Sequence, residues 1–159
     1  MKFFAKAGRA ADVSEMQEQS RVYRQYVQSV KERLPLSAFE FAAAGWHYDY
    51  SDHRCPHDSW LESLTIDEPA AGGRSQNRSL RISARLLGAF HDGHLLIGYA
   101  DVQMYSLECP KAQSGHGDWL IDEIRLSDND FVLHEVLLSN NCRWLIEAKD
   151  ISCEWRPSA

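Results

Sequence analysis

Residues 80–109, LRISARLLGAFHDGHLLIGYADVQMYSLEC, decide how this chain folds. Leu80, Ile82, Ala84 and Leu86 alternate with Arg81, Ser83 and Arg85, a period of two that predicts a strand with one apolar and one wet face. His94 to Cys109 is a second, longer run of β-forming side chains, with Gly98 as a point of bulge or close approach. Between them stands His91-Asp92-Gly93-His94. Asp-Gly is among the commonest hairpin dipeptides, so the stretch predicts two antiparallel strands, 80–89 and 94–109, joined by a tight turn. A metal reading of His91 and His94 is weaker. The H-E-x-x-H pattern works because a helix sets its histidines four apart with a glutamate between, whereas here the separation is three and a glycine intervenes.

The same period continues outward in both directions. Strands are expected from Trp60 onward through Leu64 and Ile66, and over 119–126, 131–139 and 142–155, with SDND at 127–130 and SNNC at 139–142 as hairpin turns. His57-Asp58, His91-Asp92 and His116-Gly117-Asp118 each precede an apolar strand, as side-chain-to-backbone turns do where a chain enters a sheet. SGHGD at 114–118 reads as a flexible connection. Before residue 45 the period is 3.6. Val22, Tyr23, Tyr26, Val27, Val30 and Leu34 form one stripe of a helix over 14–34, with Ser14 and Gln17 as capping box and Pro35 as stop. A second, shorter helix is expected over 37–45, with Ser37 and Glu40 as its box and Gly45 at its end, the alternative being a strand begun by Phe39-Glu40-Phe41. The expectation is an α+β fold in one domain spanning 1–159. Its N-terminal helix or helices, 14–44, pack on an antiparallel meander sheet of five or six strands over 60–156, and residues 1–13 are flexible.

Of the 159 residues, 44% are hydrophobic and 25% charged, the balance of an ordinary globular domain. The net charge of −6, with no Lys/Arg cluster, argues against a nucleic-acid partner. Phe3-Phe4-Ala5 is too short an apolar run for a signal segment or a membrane span. Cys55, Cys109, Cys142 and Cys153 contain no C-x-x-C pair, and the expectation is a cytoplasmic protein with reduced thiols.

WHYDYSDHRCPHD, residues 46–58, is the densest polar segment. His53, Cys55 and His57 would share a face of an extended chain, and with His47, His91 and His94 they make the alternative reading of a zinc-dependent enzyme or metal sensor. The H-x5-H-x-C-x-H spacing matches no established zinc pattern, so a loop anchored by aromatics is preferred and no cofactor is expected. No catalytic residue is assigned: G-x-S-x-G and phosphate-cradling loops are absent. The C-terminal third crowds acids around tryptophans. Trp119, Asp122, Glu123, Glu135, Trp144 and Glu147 are expected to form an acidic sheet face that contacts a partner.

HDGHLLIGYADVQMYSL, followed by short-turned strands ending in RWLIEAKDISCEW, resembles small cytosolic bacterial proteins of the immunity type, whose sheets carry H-D-x-x-(aliphatic) entries. The residues carrying the likeness are His91, Asp92, Leu95, Tyr99, Trp144 and Glu147, with WHYDYSDHRCPHDSW as a second block, over roughly 46–155. The resemblance implies a non-enzymatic protein-binding module, an immunity-type or adaptor protein that occludes a basic toxin or effector.

Overall fold

The computed structural model describes residues 1–4, 13–70, 72–74, 76–110, 113 and 115–158. Helices α1 (Val13–Ser29) and α2 (Leu36–Ala43), separated by a 3-10 turn over Lys31–Arg33, precede six strands. These are β1 (Trp60–Asp67), β2 (Arg81–Leu87), β3 (Gly93–Glu108), β4 (Trp119–Leu126), β5 (Val132–Leu138) and β6 (Arg143–Pro157). Every pairing is antiparallel, in the order β1-β2-β3-β6-β5-β4. The expected α+β architecture is therefore present, with its meander in two three-strand runs. The long strands β3 and β6 join the two runs down the middle. No described helix is long and apolar enough to cross a membrane.

The sheet curls until its two edge strands meet at one end. Trp60 and Asp118 form an antiparallel bridge. The amide of Asp58 donates to Trp119 O at 2.8 Å, and the Trp119 amide to Ser59 O at 3.0 Å. The inner face holds the core: Ile82, Leu86, Leu95, Ile97, Trp119, Ile124, Trp144, Ile146 and Ile151 are buried there. Beyond the bridge, β4 is an open edge whose backbone groups need partners. Tyrosines supply them. Tyr48 donates its hydroxyl to Asp122 O, Tyr23 donates to Ile124 O and accepts from Ile124 N, and Tyr26 accepts from Leu126 N.

Several local expectations change. Helix α1 stops at Ser29, because Arg33 N and Leu34 N both turn to Val30 O and tighten the chain. Val22 faces out at the margin of the stripe, while Tyr23, Val27, Val30 and Leu34 are buried. Ser14 and Ser37 each lie one residue inside their helices. Pro35 caps α2, and Ser37 instead donates its hydroxyl to Asp150. Gly93 is not the left-handed residue of the HDGH turn; His91 is, at φ 58°. Trp155 explains the glycine, since a Cβ on Gly93 would lie 2.3 Å from the indole. The turns at 127–130 and 139–142 form as expected, with Asp130 and Asn141 at positive φ.

Met1–Phe4, part of the stretch expected to be flexible, lie against the sheet, whereas residues 5–12 fall outside the described residues, as does Ser114 of the 114–118 connection. Cys109 and Cys142 are joined in a disulfide that ties the exit of β3 to the β5–β6 turn. The reading of four reduced thiols is corrected accordingly: only Cys55 and Cys153 are free.

Two outcomes follow from these contacts. Tyr23→Phe strips both edge hydrogen bonds from Ile124 and should lower unfolding stability by about 1–3 kcal/mol in urea titrations. Alkylation of the denatured, unreduced chain should label two cysteines, rising to four once a dithiol reductant is present.

Candidate functional site

Three polar constellations stand out: one inside the sheet, one on the outer side of β4 and β5, and one at the closed end. The innermost is centred on Asp122. A β-bulge between Trp119 and Ile121 breaks the two-residue alternation of β4, so Trp119 and Asp122, three apart, face the same way. Trp119 Nε1 donates to Asp122 Oδ1 at 3.0 Å, and His47 Nε2 and His134 Nε2 each donate to Oδ2 at 2.9 Å. His47 Nδ1 lies 3.0 Å from the carbonyl of Phe41 while its Nε2 faces the carboxylate, so the ring spans from the end of α2 to Asp122. His134 Nδ1 meets the Tyr99 hydroxyl at 2.8 Å. Phe41 and Tyr48 sandwich the His47 ring, with centroids at 4.5 and 4.3 Å.

All five polar side chains of this network are buried. Burial pushes the Asp122 carboxyl up, but the charge and hydrogen bonds of His47 and His134 outweigh it and hold the group well below the usual carboxylate range. Burial, reinforced by the nearby Asp122 charge, raises the Tyr99 phenol. Each donor is matched to an acceptor, so the chemistry on view is that of a locked interior, not an open acid–base pair.

The second constellation is a pair of buried glutamates. Glu123 accepts the backbone amides of Lys2, Phe3 and Phe4, and Glu135 accepts the Met1 ammonium. Arg125 bridges the two carboxylates, and Arg143 closes on Glu135. Burial raises the Glu135 carboxyl, yet its cationic partners dominate and lower it.

These positions correct the expected acidic face. Asp122, Glu123, Glu135, Glu147, Trp119 and Trp144 are all buried, so none is displayed for a partner. The two indoles meet edge to face at 5.7 Å within the core. Glu147 lies on the outer side of β6 opposite Leu133 and Met104, its Oε1 without a hydrogen-bond partner.

The proposed metal ligands are dispersed as well. His47 belongs to Asp122; Cys55 donates to His47 O, and burial pushes its thiol up to about 12. His57 bonds Leu120 O, and His94 contacts Arg85 and Glu62. Among the described residues no three His, Cys, Asp or Glu side chains gather in a manner able to hold an ion.

Three histidines, His53, His57 and His91, build the third constellation, an aromatic rim near Trp60. His53 stacks on Phe90 at 4.1 Å and pairs with Asp92, His57 stacks on Tyr50 at 4.2 Å, and His91 meets Trp60 edge-on at 4.8 Å. The three His-Asp strand entries thus converge: 57–58, 91–92 and 116–118 all border the junction of β1 with β4. Asp58 and His91 both hold left-handed backbone, at φ 61° and 58°. For side chains with a Cβ that conformation is costly and persists where surroundings enforce it.

No family model, no curated protein and no solved structure matches the chain.

Acid titration tests the inner network. A carboxyl held below its unfolded value contributes stability that is complete above that value and lost as pH falls through the folded one. With ordinary values of 3.8 for Asp122 and 4.5 for Glu135, unfolding stability should stay level down to about pH 5 and decline below about pH 4.5. Asp122→Asn should remove about 3–5 kcal/mol at neutral pH and flatten that decline, read from urea midpoints across pH.

Proposed function

We propose that this chain is a non-enzymatic protein-binding module, immunity-type or adaptor in character, that engages a basic partner through the Trp60 rim. The observation that carries this reading is the exposure of three large aromatics, one at the start of β1 and two on loops: Trp60 at 51%, Phe90 at 48% and Tyr50 at 45%. Each is already ordered by an imidazole contact. Aromatic anchors fixed before contact lose little side-chain entropy on binding, which is how a small surface reaches useful affinity.

Charge supports the sign of the partner. The rim segments 46–60, 88–92 and 115–118 contain Asp49, Asp52, Asp58, Asp92 and Asp118, against Arg54 as their one Lys or Arg. Arg54 is already paired with Asp52. The acidic, tryptophan-bearing surface expected from the sequence thus has a counterpart here, built from other residues than those of β4–β6. The disulfide favours an oxidising compartment over the cytoplasm expected from the short N-terminal apolar run.

Peptides selected from a random display library on the full chain should be rich in Lys and Arg. Synthetic copies should bind at least tenfold more weakly to Trp60→Ala and to Phe90→Ala, with thermal stability unchanged because both side chains are exposed. Acidic selected sequences, or affinities that neither substitution moves, would refute the rim.

A further inference from the structure

We infer that the recess between Trp60 and Asp118 is the seat for an arginine side chain of the partner. The inference rests on the rim reading and adds the chemical group received. Trp60 and Asp118 are directly opposed in the antiparallel bridge that closes the sheet. Residues so placed project to one side with Cβ atoms about 4.5–5.5 Å apart. Their neighbours Ser59 and Trp119 are buried inward, so the indole and the carboxylate turn outward together. Leu61, Gly115, His116 and Gly117 complete a recess of about 350 Å³. Gly115 and Gly117, both at positive φ, put no side chain into it.

The seat is stiff. The bridge is flanked by the Asp58–Trp119 and Trp119–Ser59 backbone bonds, and Asp118 is tied to the β5–β6 turn. Its amide donates to Ser139 Oγ at 2.8 Å and its carbonyl accepts from Ser139 N at 2.9 Å. The Asp118 carboxylate itself has no hydrogen bond or ion pair among the described residues. His116 turns its ring to Trp144 at 6.4 Å and leaves that carboxylate unengaged.

A group lying between an exposed indole and an unpaired carboxylate must satisfy a π face and a negative charge together. Guanidinium does both: its plane stacks on the ring and its N–H groups fork onto the carboxylate. An ammonium pairs with the charge but offers no plane to stack. A neutral sugar ring stacks on the indole and leaves the charge unpaired. Asp58 and Asp92, both exposed, extend the negative field around the opening.

The probe is N-acetyl-arginine methylamide, titrated into the isotope-labelled full chain and followed by amide and indole N–H resonances. Saturable shifts are expected at the Trp60 indole and at the Gly117 and Asp118 amides. The neutral citrulline analogue should give none, and Asp118→Asn should weaken binding at least tenfold. Equal shifts from citrulline, shifts elsewhere, or no shifts overturn the inference. If Trp60→Ala and Phe90→Ala still cost the selected peptides their affinity while this probe fails, the rim stands and the arginine seat falls. If the probe binds as stated while those peptides ignore both substitutions, the seat stands without the rim.

Discussion

Asp122 brings a full negative charge into the interior of a curled sheet, where an uncompensated carboxylate is very unfavourable. Its compensation comes from three places in the chain: His47 from the segment after α2, Trp119 from its own strand and His134 from β5. Each donor reaches it only if its element is in place. The bulge at the start of β4 must form for Trp119 to face inward, and α2 must end where Phe41 O can hold His47. A hydrogen-bonded buried charge of this kind adds little net stability over an apolar core, but it penalises every arrangement that leaves the charge unmatched. It thereby specifies how the helical and strand portions register.

The edge of β4 depends on the same registration. Tyr23, Tyr26 and Tyr48 reach consecutive outward-facing backbone groups of that strand, so the helical part does for β4 what a seventh strand would do. At the opposite end the edge problem is solved differently, by letting β1 meet β4 at the Trp60–Asp118 bridge. Both edges of the curled sheet are thus engaged, and the exposed Trp60, Phe90 and Tyr50 lie near its closed end.

The architecture was legible because periodicity reports burial. Ile82, Ala84 and Leu86 alternate inward as their spacing requires, and Tyr23 and Val27 line one side of α1, with Val30 buried just past its end. The site was less so. VLHEVLL in β5 is buried on both faces, and the polar pair His134-Glu135 in an otherwise apolar strand was the available signal for interior networks. Reading Asp122, Glu123 and Glu135 as surface charge failed because each has, besides nearer partners, one that lies 75 to 134 residues away in sequence, at His47, Lys2 and Met1. No local pattern encodes such pairings. The disulfide was hidden for the same reason, its cysteines being 33 apart and brought together by strand order. The recurrence of His-Asp before strands was visible, and its meaning emerged only once the sheet closed and drew the three copies to one rim.

The amides of Lys2, Phe3 and Phe4 rest on a glutamate about 120 positions later, and the tyrosines of α1 wait for a strand about 100 positions later. In a ribosome-made chain these early segments exist long before anything they can dock on. Such topology makes folding slow, because the longest loops close last. It also makes it predominantly post-translational, with α1 obliged to keep its apolar stripe uncovered until β4 emerges. An apolar stripe left uncovered in that interval is the condition under which aggregation or chaperone capture competes with folding.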